Sequence, residues 1–398
     1  MARLRFKRFS DLAFLQSIDK PRYLAPLLAP FIEYFKRQGL DFSHLANDDA
    51  TDRKLLEVFT RPDEDMPGDL LELLYVLDDL ADDSGQDRIL NEVVQCGEAI
   101  DGLDGEMTCG EYAIAVYRAK PGLIQACYEK TVHRKVKNYT EYQSASDARL
   151  TLAAARHGKA ALEQALATWF DGRNRGMVCE IYPYQEGSEI RFIVTHGQTY
   201  RSEGSIDKNL RKSRVAYRPQ KHDSIIYDTQ TGILKLNAQS LPEKEEYRKQ
   251  FGRVYFNDPE HFPAGDIYTL KPMQAAHFEL SLPHGITSAQ LCEVWIQIDD
   301  DQHVTQITKG YDLLRSARAR AFPNLAAGAI VRAAFRVKYR SGGKARRLDV
   351  RPPNVAIYDR DRDGAAAEDF LRANRLIKIE ADPVVTDGAD EVLSDARN

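Results

Sequence analysis

The sequence predicts an α+β fold: a helical N-terminal domain, then a mainly antiparallel β region (a meander or small barrel) ending in a basic β-hairpin and a closing helix. Three observations lead there. Apolar residues recur at helical spacing through the first 175 residues, and the period shortens to two after Gly176. Residues 331–351 then alternate apolar and basic side chains around a Ser-Gly-Gly turn. The chain accordingly divides into an acidic helical domain at 1–175 and an antiparallel β domain with one inserted helix at 176–310. A basic hairpin plus helix follows at 311–379, separate or continuous with the preceding part, and 380–398 is an acidic, flexible tail.

In the first part, Pro67 to Ala81 reads as a helix. Leu70, Leu74, Leu77 and Ala81 form one stripe, with Asp78 and Asp79 off it. A second helix is predicted over 146–170, where Leu162, Leu166, Trp169 and Phe170 share a face and Gly158 weakens the middle. Beyond Gly176, strands are expected at 177–184, 189–195, 198–201, 214–218, 224–228 and 233–236. Ser240-Leu-Pro-Glu243 is a capping box opening a helix, and Gly252 is its expected stop. Further strands are predicted at 277–282, 292–299 and 304–307, and a helix at 365–374.

Charge is strongly segregated. Residues 41–106 hold twenty Asp/Glu against four Lys/Arg, whereas 201–222 hold seven basic and two acidic residues. Residues 311–351 hold eleven basic and two acidic residues, and 380–398 six acidic and one basic. The five cysteines form no C-x-x-C pair, which favours reduced thiols over a disulfide framework or zinc site. No run of about 20 apolar residues occurs, and the basic start lacks the apolar core of a secretory signal. A cytoplasmic protein away from membranes is the expectation.

The hairpin carries the functional reading. Alternation places Arg332, Arg336, Lys338, Arg340, Arg347 and Arg351 on one face, with Asp349 the single carboxylate among them. Such a ribbon suits a phosphate backbone or a major groove, because guanidinium forks hold two phosphate oxygens. Arg211, Arg214 and Arg218 form a second basic patch, and Tyr217, Phe335 and Tyr339 are interleaved aromatics able to stack on bases or to pack inward. The expected function is therefore a nucleic-acid-associated binding or regulatory protein, with DNA or RNA as partner. The acidic 41–106 region would modulate access or recruit a protein partner. Two alternatives stand beside it: a metal-dependent enzyme of nucleic-acid or phosphate chemistry lacking a short motif, and a scaffold subunit.

No cofactor or metal is called for. Asp359-x-Asp361-x-Asp363-Gly364 begins like a calcium loop, but Phe370 stands where the bidentate Glu belongs. Asp299 to Asp301 suit a polar turn, His222-Asp223 is an adjacent pair, and Glu180 and Glu189 flank a predicted hairpin.

Overall fold

The computed structural model describes residues 6–42, 45–61, 63, 65–96, 100, 103, 106–133, 136–206, 211–299, 301 and 304–378. The α+β class holds: helices lead, and a large antiparallel sheet follows. The acidic tail expected at 380–398 lies outside the described residues. The chain forms two compact units, one of Met1–Lys135 with Arg201–Tyr217, the other of Val136–Tyr200 with Arg218–Asn398.

The first unit contains α1 (Leu12–Gln16), α2 (Ala25–Leu28), α3 (Ile32–Arg37), α4 (Asp49–Thr60), α5 (Gly68–Leu80), α6 (Asp83–Cys96), α7 (Cys109–Ala119) and α8 (Pro121–His133). Its core joins Phe9, Phe35, Phe59, Leu70, Leu74, Leu77, Val116 and Ile124, so the expected stripe of α5 packs inward. Asp78, although off that stripe, is buried. Its carboxylate accepts the backbone N–H groups of Lys7 and Arg8, each at 2.7 Å, and of Phe9 at 2.9 Å, satisfying three donors of one turn with a charged acceptor. Several neighbouring acids are neutralised within this unit. Lys7 pairs with Asp79, Arg8 with Asp82 and Lys130 with Glu92, and buried Lys20 lies 2.6 Å from buried Asp52. The same unit includes a separate two-stranded ribbon, β4 (Arg201–Ile206) with β5 (Lys212–Tyr217).

The second unit is built on one sheet of ten strands, every pairing antiparallel. Its strands are β1 (Asn138–Gln143), β2 (Cys179–Glu186), β3 (Glu189–Gly197), β6 (Gln220–Asp228), β7 (Ile233–Asn237), β8 (Ile286–Asp299), β9 (Val304–Lys309), β10 (Ala329–Tyr339), β11 (Arg346–Arg351) and β12 (Val355–Ile357). Across the sheet the order is β2-β3-β6-β7-β1-β12-β11-β10-β8-β9. β1 corrects the reading of 1–175 as wholly helical. Its alternate residues Thr140 and Tyr142 meet one face and Tyr139 and Glu141 the other, and both its neighbours come from far along the chain. The helices of this unit are α9 (Leu152–Asp171), α10 (Leu241–Phe256), α11 (Leu313–Arg320) and α12 (Arg360–Ala373).

The core changes face along this sheet. Over β2, β3, β6, β7 and β1, α9 and α10 cover Ile181, Phe192, Val194, Ile225, Leu234, Leu236 and Tyr142. Over β11, β10 and β8, the buried residues Leu348, Val350, Phe335, Val337 and Val294 pack with Phe370 and Leu371 of α12. The registers Tyr139↔Ala356↔Val350 and Thr140↔Val355↔Arg351 put this second core on the opposite face. The face that α9 and α10 cover on one half therefore runs on, across β12 to β9, as a polar face.

Two further expectations change. Residues 277–282 are irregular: Asn374 donates to Ser281 O at 3.0 Å and accepts from its N–H at 2.8 Å, doing for this segment what a neighbouring strand would. Gly252 is interior to α10, which ends instead at Asn257 in the left-handed region (φ 55). A Cβ at Gly252 would stand 2.4 Å from Asp258 O, so close approach of the returning chain explains the glycine.

Candidate nucleic-acid interface

The polar continuation of the sheet carries the predicted basic hairpin. β10 and β11 pair as expected, with Arg336 opposite Arg347 and Ala334 opposite Asp349. The hairpin is not a free ribbon, however. β10 is also bonded to β8 and β11 to β12, so all four backbone edges are occupied within the sheet. A geometry in which the two strands alone enter a groove is thereby excluded; what the hairpin offers is a face.

That face has a built centre. Asp349 and Glu293 are both buried, at 3% and 5% exposure. Arg332 donates from Nε to both Asp349 oxygens at 3.0 Å and also from Nη2, while Arg351 and Arg347 each approach Asp349 at 3.3 Å. Arg347 reaches Glu293 at 2.7 Å, and Trp295 Nε1 donates to Glu293 at 2.7 Å. Burial alone would push both carboxyls up. The hydrogen bonds from Arg332 to Asp349 and from Arg347 to Glu293 outweigh it, holding both below the usual carboxylate range. Glu293 is the carboxylate that sequence reading missed, because it comes from β8, about 40 to 55 residues before its arginine partners.

Around this centre stand exposed cations. Arg336 and Lys338 are exposed, Arg347 and Arg351 keep about half of their side chains in solvent, and Lys309 lies 3.8 Å from Glu293. Counting Arg332, the face sets six cations over two carboxylates, a surplus of four. Arg332 stacks on Trp295 (4.8 Å to the ring centroid) and Arg336 on the exposed Tyr311 (5.4 Å). These are the aromatics of the face. Phe335 and Tyr339 are buried in the core below, as strand aromatics usually are. Tyr311 and Trp295 had no signal in the hairpin's own alternation, since both lie on neighbouring segments.

The remaining predicted residues are elsewhere. Arg340 sits at the turn beyond β10 and is exposed. Arg214 lies in β5, where its Nε donates to Ser202 at 3.1 Å, and exposed Arg211 stands just before that strand. Arg218 lies in the second unit, stacked on Tyr200 at 4.6 Å and donating to Asn174 O at 2.8 Å, a tie that holds the loop before β2.

The candidate catalytic pairs do not assemble as pairs. His222 and Asp223 point to opposite faces of β6: His222 meets Thr195 at 2.9 Å, and Asp223 meets His196 at 3.1 Å. Glu180 lies opposite Thr195 rather than Glu189, and Glu189 is ion-paired with Lys235 at 2.8 Å and with Arg191 at 2.9 Å. Asp359 caps α12 and Asp363 pairs with Arg346, which uses two of the three calcium-loop carboxylates; Asp300 falls outside the described residues.

One three-ligand cluster is present beneath α10: His196, Asp223 and Glu243, all buried, with ligand atoms within 4.8 Å of one another. Asp223 also accepts from Tyr247 at 2.7 Å and lies 2.8 Å from Lys221, and Glu243 takes Arg175 besides closing the capping box with Ser240. Two carboxylates thus already face two cations. A divalent ion added there would bring two charges with no counter-charge, so the cluster fits a satisfied ion network that pins α10 to the sheet.

No protein-family model matches the chain, and a search of curated proteins finds no match.

Proposed function

We propose that the charged face of β8–β11 binds the phosphate backbone of nucleic acid, and that the protein acts by binding rather than through a motif-type active site. The observation that supports this most is the buried Asp349–Glu293 pair under Arg332, Arg347 and Arg351. Long cationic side chains ordinarily lose entropy when they grip a ligand. Here two buried acids hold guanidinium forks in place in advance, and the surplus of four charges remains for an anion. Arg336 and Lys338 extend the row, and Tyr311 places an exposed ring beside it. A simple docking site for the acidic helices accounts less well for the face, since acids of α4, α5 and α6 already pair with Lys20, Lys7, Arg8 and Lys130 in their own unit.

Fluorescence anisotropy with labelled single- and double-stranded oligonucleotides tests the proposal. Four neutralised phosphates give a salt slope of roughly −3 to −3.6, or an affinity loss of roughly 50- to 150-fold between 50 and 200 mM salt. An affinity indifferent to salt, or none at 50 mM, contradicts it.

A further inference from the structure

A cavity lies where the β10–β11 turn meets α12. The cavity there, about 520 Å³, is lined by His284, Tyr339, Arg340, Ser341, Arg360, Arg362 and Asp363 among others. Its size is that of a small-molecule site. Its charge is unbalanced in a definite way. Asp363, the acid in the wall, gives both carboxylate oxygens to Arg346. Arg360 is buried and spends its terminal nitrogens on Glu141, Lys137 O and Ala356 O, yet its buried Nε has no acceptor. Arg340 and Arg362 are exposed, and their guanidinium groups pair with no carboxylate among the described residues. Two cations are thus left over in a wall that also holds Ser341. The turn can come this close to α12 because Gly343 adopts a left-handed conformation (φ 86) and a Cβ there would stand 3.3 Å from Arg362 Nη2. Gly285 forms another part of the wall, where a Cβ would meet Ala366 at 2.8 Å.

We infer that this cavity binds a phosphate monoester dianion. Two unpaired guanidinium groups match two negative charges, and their planar forks with a hydroxyl match three phosphoryl oxygens. Phosphodiesters carry one charge per group, so the site is distinct in chemistry from the sheet face, and it stands whether or not that face binds nucleic acid. A monoester occurs at the 5′ end of a nucleic-acid strand and on a free nucleotide, and the site chemistry is common to both.

The test is a titration of the full chain with four probes: a 5′-phosphorylated oligonucleotide, its 5′-hydroxyl twin, a nucleoside 5′-monophosphate and the nucleoside. The expected result is at least about tenfold tighter binding of a phosphorylated probe than of its twin, falling as pH drops below about 6, where the dianion takes up a proton. If only the oligonucleotide shows the gain, the ligand is a strand end; if the monophosphate shows it equally, the ligand is a nucleotide. The gain is lost in Arg340→Ala/Arg362→Ala, whose exposed positions leave folding intact. Equal binding of each probe and its twin, or a gain that survives the double alanine variant, overturns the inference.

Discussion

Asp349 offers the sharpest test of how the charged face is held. Asp349→Asn keeps the shape of the side chain and removes the charge that faces Arg332, Arg347 and Arg351. Breaking a buried ion pair costs about 3–5 kcal/mol when the abandoned charge stays buried. Arg332 keeps 18% of its side chain in solvent, and Arg347 and Arg351 keep 48% and 41%, so water recovers part of the loss. About 2 kcal/mol is the expected destabilisation. For a unit of roughly 250 residues that lowers Tm by about 4–8 °C. The pH dependence follows from the carboxyl being held below its usual range. Its contribution is complete above the unfolded value of about 4 and disappears as pH falls through the lower native value. Thermal unfolding of both proteins at neutral pH and at several acid pH values should therefore show a gap that narrows towards acid. A variant melting within about 1 °C of the parent at neutral pH, or a gap that widens in acid, refutes the reasoning.

Three other changes follow from the same geometry. Gly158→Ala should destabilise by about 1–2 kcal/mol in thermal melts, although alanine is the better helix former. A Cβ there would stand 2.5 Å from Tyr255 Cε1 at the crossing of α9 and α10. Tyr247→Phe removes the donor to buried Asp223 and should cost about 1–2 kcal/mol in denaturant unfolding with an unchanged m-value. Ser240→Ala breaks the capping box of α10 and should cost about 1 kcal/mol, with the helix retained by circular dichroism.

Local signals explain what the sequence made legible. The helix at 67–81, the capping box at Ser240 and the strands around Gly187 and Gly342 depend on residues within a few positions of one another, and each forms where expected. β1 could not be read this way. Its six residues follow α1 to α8, and its strand character comes from β7 and β12, roughly 90 and 220 residues later. Gly158 read as a weakness and Gly252 as a helix stop, but each marks a place where another segment comes too near for a side chain. For the site, alternation identified Arg332, Arg336, Lys338, Arg347 and Arg351 as one face, and it also put Arg340 there, which stands at the turn beyond β10. It could not supply Glu293, Trp295 and Tyr311, which arrive through sheet order, nor show that Arg218 is a loop tie. The pairing of His196 with Asp223 was hidden for the same reason. It is a cross-strand contact, whereas the neighbour in sequence, His222, faces away.

Binding of a phosphate backbone by the β8–β11 face, as proposed, depends on its surplus of positive charge. Its most direct test compares the affinity of Arg336→Glu/Arg347→Glu with that of the parent for one oligonucleotide at 50 mM salt, with both proteins shown to be folded. These two residues stand opposite each other in the register and are exposed, so the double reversal removes the surplus of positive charge without opening the core. The expected result is a loss of at least about 100-fold and a salt slope near zero. Binding within about threefold of the parent, with the salt slope unchanged, would contradict it.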